Sequence, residues 1–252
     1  MKKIAQYFFI ALIVYFLFSC FANAQNSLIS EMLKIRESIV DITAFQTQIL
    51  PSSPTALGID TTTHKMIIAE NIKKSTYVQK SAGVIISPDG FIITNLHAIY
   101  GTQNIFVKLL DGTSFTAQII SISTDQDLAL MKINASKHLY FVELEDPNNI
   151  QLGAEVVHIG SSDILNNTIS SGKIISLGTT TINNKREIEL IKINMNMYNG
   201  DSGGPILSRD GKLIGIMMGK FEKQDRSALA VPSNKIKKLY LEFLKNRYNT
   251  PK

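Results

Sequence analysis

The segment Asn199-Gly200-Asp201-Ser202-Gly203-Gly204-Pro205 sets one hydroxyl in a glycine-rich loop between two apolar runs, Ile188 to Ile193 and Ile206 to Leu207. Serine is a weak nucleophile at its free pKa. Its chemistry therefore requires a general base, a group that orients the base, and donors for a developing oxyanion. Gly200 and Ser202 can aim their backbone N–H groups into one small space, because glycine admits unusual dihedrals and a close approach of the chain. The same residues also read as a plain Asn-Gly-Asp turn joining two strands. Whether a base and its partner lie upstream decides between these readings.

Gly200-Asp201-Ser202-Gly203-Gly204-Pro205 resembles the nucleophile motif of the chymotrypsin-like serine proteases. Thr94-Asn95-Leu96-His97-Ala98 resembles their general-base motif, and Asp127-Leu128-Ala129-Leu130 the segment that carries the orienting aspartate. The order His97, Asp127, Ser202 is that of chymotrypsin and not that of the subtilisins or α/β-hydrolases. Within this clan the stretch from Ala82 to Asn95 and the stretch Leu229-Ala230-Val231-Pro232-Ser233-Asn234 are similar to the HtrA/Deg family. The likeness runs from about residue 31 to about residue 245.

The resemblance implies an all-β chain of two six-stranded antiparallel barrels with a short C-terminal helix. His97 and Asp127 would come from the first barrel and Ser202 from the second, across a boundary at about 145–153. It implies a serine endopeptidase for unfolded or damaged exported proteins, a protein quality-control activity. His97 would take the proton of Ser202, Asp127 would fix the imidazole tautomer, and the amides of Gly200 and Ser202 would form the oxyanion hole. Asp125 is the neighbouring rival for the orienting role; Asp127 is preferred because it directly precedes Leu128-Ala129-Leu130. A catalytically inactive binding or chaperone-like protein on the same scaffold is the alternative, since fold does not guarantee chemistry. Met197, Met218 and Gly219 are expected to shape the substrate pocket. Those segments hold no carboxylate to meet a basic side chain, which favours a small or medium apolar P1 residue.

The chain also departs from the family. It is expected to be a protease domain without a PDZ domain, so any homo-oligomer, a trimer by the resemblance, would form through the protease domain. Asp201 stands where HtrA proteins commonly carry asparagine, and an internal Ile-Val-Gly-Gly activation sequence is lacking.

The N-terminus reads as an export signal over residues 1–24. Met1-Lys2-Lys3 is basic, Ile4 to Phe18 is apolar, and Ala22-Asn23-Ala24 offers a small-residue cut before Gln25. Leu17-Phe18-Ser19-Cys20 competes with it as a lipoprotein-type signal, which would attach the chain to a membrane through Cys20. The expected location is periplasmic or secreted, with lipid anchoring as the alternative. Cys20 is the only cysteine, so the domain over residues 25–252 has to hold together without an internal disulfide.

The chain has 252 residues, a formal net charge of +5 and no tryptophan, a composition suited to a globular domain. Lys235, Lys237, Lys238, Lys245 and Arg247 are read as the solvated face of a C-terminal helix and not as a nucleic-acid site. Ile236, Leu239, Tyr240, Phe243 and Leu244 between them fall at helical spacing. His64, His138 and His158 are too scattered to suggest a metal cluster and read as core or surface residues without catalytic duty. Met195, Met197, Met217 and Met218 likewise make no cofactor stripe, so neither cofactor nor metal is expected.

Strands are predicted wherever short apolar runs are bounded by turn residues. They include Val40 to Ala44, the hairpin of Val84 to Ile86 and Phe91 to Ile93 around Ser87-Pro88-Asp89-Gly90, Phe115 to Ile122 and Leu128 to Ile133. A second set starts at Val156 to Ile159 and ends at Ala228 to Val231. Residues 46–64 show no core-facing period and read as a loop.

Overall fold

The structure, a computed structural model, describes residues 34–51, 55–59, 66–69, 72–160, 169–182, 186–198, 200–220 and 227–249. The expected export signal, with Cys20, lies outside them. Among the described residues the apolar runs form strands β1 (Ile39–Pro51), β2 (Thr55–Ile59), β3 (Met66–Ala69), β4 (Ile72–Ile85), β5 (Phe91–Asn95), β6 (Asn104–Lys108), β7 (Ser114–Thr116), β8 (Gln118–Ser123) and β9 (Leu128–Lys132). After a short 3-10 turn at Pro147–Asn149 come β10 (Glu155–Ile159), β11 (Ile169–Ile182), β12 (Arg186–Asn194), β13 (Pro205–Leu207), β14 (Leu213–Lys220) and β15 (Ser227–Pro232). The chain then turns into helix α1 (Ser233–Asn249).

The second set closes into an antiparallel six-stranded barrel, ordered β10-β11-β12-β15-β14-β13, with the Val157↔Leu207 and His158↔Ile206 pairs sealing the ring. The first set does not. It is an open seven-stranded sheet, ordered β7-β6-β1-β4-β5-β9-β8, which corrects the expectation of two closed six-stranded barrels. The segment predicted as one strand, Phe115 to Ile122, divides at Ala117, whose amide donates to Ile105 O at 2.9 Å. The part before it pairs with β6 and the part after it with β9, so the two parts occupy opposite edges of the sheet. They are successive pieces of one strand, joined end to end by the chain and not side by side by a ladder.

The loop reading of residues 46–64 is also corrected over those of them that the structure describes, 46–51 and 55–59. β1 runs on to Pro51 and pairs with β4 in unbroken register from Ile39↔Val84 to Pro51↔Ile72, and β2 pairs with β3 in the sequence between them. A ladder uses backbone N–H and C=O groups that every residue but proline supplies. It therefore forms without the core-facing period by which a strand is recognised in sequence.

Among the described residues three apolar clusters build the interior. One fills the open sheet (Val40, Ile42, Ile92, Ile99, Val107, Met131) and one fills the barrel (Val156, Ile174, Ile193, Met197, Ile206, Met217). The third lies between them and joins Val84, Ile93 and Leu130 to Leu190, Ile216 and Val231. Each fully buried aliphatic side chain contributes about 1.5–3 kcal/mol, so this interface cluster binds the two sheets firmly to each other.

Helix α1 completes that cluster. Ile236 and Leu239 are buried, while Tyr240 and Phe243 meet the Phe91 ring at centroid distances of 5.3 and 5.4 Å. Lys237, Lys238, Lys245 and Arg247 face outward, which is the amphipathic arrangement their spacing predicts. Ser233 Oγ donates to Glu145 O at 3.1 Å, fastening the start of the helix to the segment between the two sheets. Lys235 Nζ lies 2.6 Å from Glu189 Oε2, and Asn234 Nδ2 donates to Glu189 Oε1 at 3.1 Å. The hydrogen bond from Lys235, followed by the one from Asn234, holds the Glu189 carboxyl below the usual carboxylate range against the opposing cost of burial.

Candidate active site

The pairing of β5 with β9 sets Asn95 opposite Leu128. His97, two residues beyond Asn95, and Asp127, one residue before Leu128, consequently emerge at the same end of the sheet. Asp127 has φ +54°, a left-handed backbone uncommon for a residue with a Cβ. From there its carboxylate engages His97 twice: Oδ1 accepts from the backbone amide at 2.9 Å and Oδ2 lies 2.6 Å from Nδ1. Its carbonyl accepts from Leu96 N at 3.0 Å and from Asn95 Nδ2 at 3.3 Å. Facing a carboxylate, Nδ1 carries the proton, which leaves Nε2 with the lone pair a general base needs. The Asp127 side chain is 9 % exposed and that of His97 46 %, so the carboxylate is buried while the imidazole is open to solvent. Asp125 is exposed.

Ser202 sits in the loop between β12 and β13, partly buried, and its carbonyl accepts from Ala82 N of β4 at 2.9 Å. The loop folds tightly because Gly200 and Gly203 take φ +98° and +82°. At Gly203 a Cβ would lie 2.1 Å from Ala82 O and 2.4 Å from Thr94 Oγ1, so only glycine admits this contact with the open sheet. The Asp201, Gly203 and Gly204 amides donate to Tyr198 O, Met217 O and Asp201 O at 3.2, 2.8 and 2.8 Å. The Ser202 hydroxyl donates to Met218 O at 3.4 Å.

Met218 thus meets the Ser202 hydroxyl through its backbone, at a point where the β14–β15 register slips between Met217 and Gly219. A Cβ built on Gly219 would meet nothing within 4 Å, so space is open beside it. Met197 is 8 % exposed and packs with Met195 and Met217 in the barrel core. His138 is exposed, and His64 lies outside the described residues. Among the described residues no three His, Cys, Asp or Glu side chains converge as a metal-binding group.

One contact escaped the sequence reading: His158 is buried at 1 % exposure, with Nε2 3.0 Å from Asp201 Oδ1. The available signal was Asp201 itself. An acidic residue beside Ser202 requires a partner once it is buried.

A family model described as "Trypsin-like peptidase domain" matches residues 81–216. A protein named "Probable periplasmic serine endoprotease DegP-like" from Rickettsia prowazekii (strain Madrid E) is 35 % identical over 191 residues, 72 % of this chain and 37 % of that protein. Its namesake from Rickettsia conorii is 32 % identical over 235 residues, 89 % of this chain and 46 % of that protein. "Serine protease HTRA1" from Xenopus tropicalis is 32 % identical over 181 residues, 71 % of this chain and 39 % of that protein. The chain therefore spans less than half the length of these relatives. A solved structure of "HtrA-type protease AlgW with decapeptide" superposes with a TM-score of 0.67 at 22 % identity, covering 86 % of this chain and 67 % of that one, a likeness of fold.

Proposed function

Because the chain belongs to the trypsin-like peptidase family, in its HtrA/DegP-like branch, we propose that it is a serine endopeptidase working through His97, Asp127 and Ser202. The observation that carries this reading is the double grip of Asp127 on His97, which fixes the imidazole through its backbone amide and Nδ1 and so supports Nε2 as the base. In the reactive arrangement the Ser202 hydroxyl turns from Met218 O to Nε2. As Oγ attacks the scissile carbonyl, its proton passes to Nε2; the imidazolium, stabilised by Asp127, then protonates the leaving amine and an acyl-enzyme remains. Water, deprotonated by the same nitrogen, releases the acyl group as a carboxylic acid. The developing oxyanion is assigned to Gly200 N and Ser202 N, the two amides that flank Asp201.

The open space at Gly219, beside Met218, suits a small or medium apolar P1 side chain, with Met197 backing the wall from the barrel core. The substrates proposed are unfolded or damaged exported proteins, which present extended backbone and apolar side chains together. Work in the periplasm or outside the cell agrees with the names of the Rickettsia relatives and with the N-terminal sequence. That sequence supports removal of residues 1–24 before Gln25, with lipid attachment at Cys20 as the competing route. Homotrimer formation rests on the family resemblance.

The test is digestion of casein by the mature protein and by Ser202→Ala, with the cut sites read by mass spectrometry. Cleavage after small or medium apolar residues, abolished in the variant, is the expected result. Equal digestion by folded Ser202→Ala would remove the nucleophile assignment. Substrate binding without cleavage by either protein would favour a chaperone-like role.

A further inference from the structure

We propose that His158 is a positioning residue for the nucleophile loop, its imidazole bridging Asp201 and Pro205 so that the amides of Gly200 and Ser202, which flank Asp201, are held in place. The inference rests on the serine chemistry proposed above. The ring is rooted in the barrel wall, where His158 on β10 pairs with Ile206 on β13. Its Nδ1 lies 2.9 Å from Pro205 O and its Nε2 3.0 Å from Asp201 Oδ1. One ring therefore ties both ends of the segment that contains Ser202, Gly203 and Gly204. The second oxygen of Asp201 accepts from Tyr198 N at 2.6 Å, which closes the loop on its other side. Gly204 packs so near the ring that a Cβ there would lie 2.8 Å from His158 Cε1.

Donor and acceptor chemistry determines how the protons are placed. A carbonyl oxygen only accepts, so the contact with Pro205 requires a proton on Nδ1. A second proton lies between Nε2 and Oδ1. It makes the pair either imidazolium with carboxylate or imidazole with carboxylic acid, and both forms hold the same geometry. His158 and Asp201 are each 1 % exposed, so removing one partner strands a buried polar group. Such pairs often add little net stability over an apolar replacement, whereas they can fix one arrangement of the chain. Here the arrangement fixed is that of the residue before the nucleophile. Asp201 is drawn inward, and Gly200 and Ser202 on either side of it are thereby oriented.

The expected signature is loss of turnover with binding preserved, because oxyanion donors act on the transition state. Removing one such donor costs about 100- to 1000-fold in kcat, and a loop left in place but loosened should lose less. His158→Ala is expected to lower kcat by about 10- to 100-fold on an internally quenched peptide, with KM within about 3-fold of wild type. The double variant His158→Ala with Asp201→Asn leaves no unpaired charge, and its amide oxygen still accepts from Tyr198 N. It should regain part of that loss while remaining at least about 3-fold below wild type, and it supplies the reading if the single variant does not fold. Wild-type kcat in either folded variant overturns the positioning role, as does a loss confined to KM. Ser202→Ala measured alongside separates the two failures. If Ser202→Ala is inactive while the His158 variants turn over normally, only this inference falls; if folded Ser202→Ala is active, the serine mechanism falls with it.

Discussion

The amide of Ala82, in the open sheet, donates to the carbonyl of Ser202, in the barrel loop, at 2.9 Å. The backbone of Ser202 is therefore held by the sheet that also carries His97. Ala82 O in turn accepts from Thr94 Oγ1 at 2.8 Å, and Thr94 lies on β5, whose end leads to His97. Serine and imidazole thus share a short hydrogen-bonded scaffold, although they stand far apart in sequence. With reacting groups, a misplacement of about 1 Å costs on the order of 100-fold in rate, so such bracing has functional weight.

Ser202→Ala and His97→Ala should each lower kcat by about 10,000-fold or more on a quenched peptide, and the double variant should be little worse than either. Without the base the hydroxyl stays a weak nucleophile, and without the hydroxyl the base has nothing to activate. Additive losses would show that the two side chains act separately.

For the orienting carboxylate the contrast is Asp127→Asn against Asp125→Asn. An amide at position 127 can donate toward Nδ1, favouring the wrong tautomer, and about 10,000-fold of kcat should be lost with the fold retained. Asp125 is exposed, so its variant should stay within about 2-fold of wild type. The opposite pattern would transfer the role to Asp125.

Gly203→Ala should destabilise the protein by about 3 kcal/mol, the sum of a left-handed alanine and a forced contact with backbone. Gly112→Ala is the control for strain alone: φ is +85° there, but a Cβ would meet nothing within 4 Å, and about 1 kcal/mol should be lost. Urea unfolding of both variants checks the difference, and equal midpoints would refute the role assigned to the Ala82 contact.

Acid should loosen the hold of β12 on helix α1. The folded Glu189 carboxyl has a lowered pKa, chiefly through its hydrogen bond from Lys235, so its contribution is present above the ordinary value of 4.5 and is lost as pH falls through the folded value. Both partners are partly exposed and screened, which limits the effect to about 1 kcal/mol or less. Glu189→Gln should melt below wild type at pH 7, and the two melting temperatures should converge as pH drops below about 4.5. A constant gap down to pH 3 would contradict the linkage.

The sequence by itself determined the order His97, Asp127, Ser202, the amphipathic helix at the C-terminus and most of the strands that frame the site. These are local signals: glycines beside a serine, apolar residues at period 2 or 3.6, turn residues between them. Apolar period tells which face of a strand is buried, but not which strand lies beside it. Ala117 looks like an ordinary interior residue of one strand, yet there the chain leaves β6 for β9, and this exchange left the first sheet open where a closed barrel was expected. The β1–β4 ladder beyond Gln46 was likewise illegible, since backbone pairing leaves no pattern in side-chain types. The tertiary structure alone brought His158 to Asp201 across 43 positions and gave Asp127 its left-handed backbone. Both result from non-local packing: a buried carboxylate must find a hydrogen-bonding partner wherever the fold supplies one, and strain at a single residue persists only when the surrounding hydrogen bonds outweigh it.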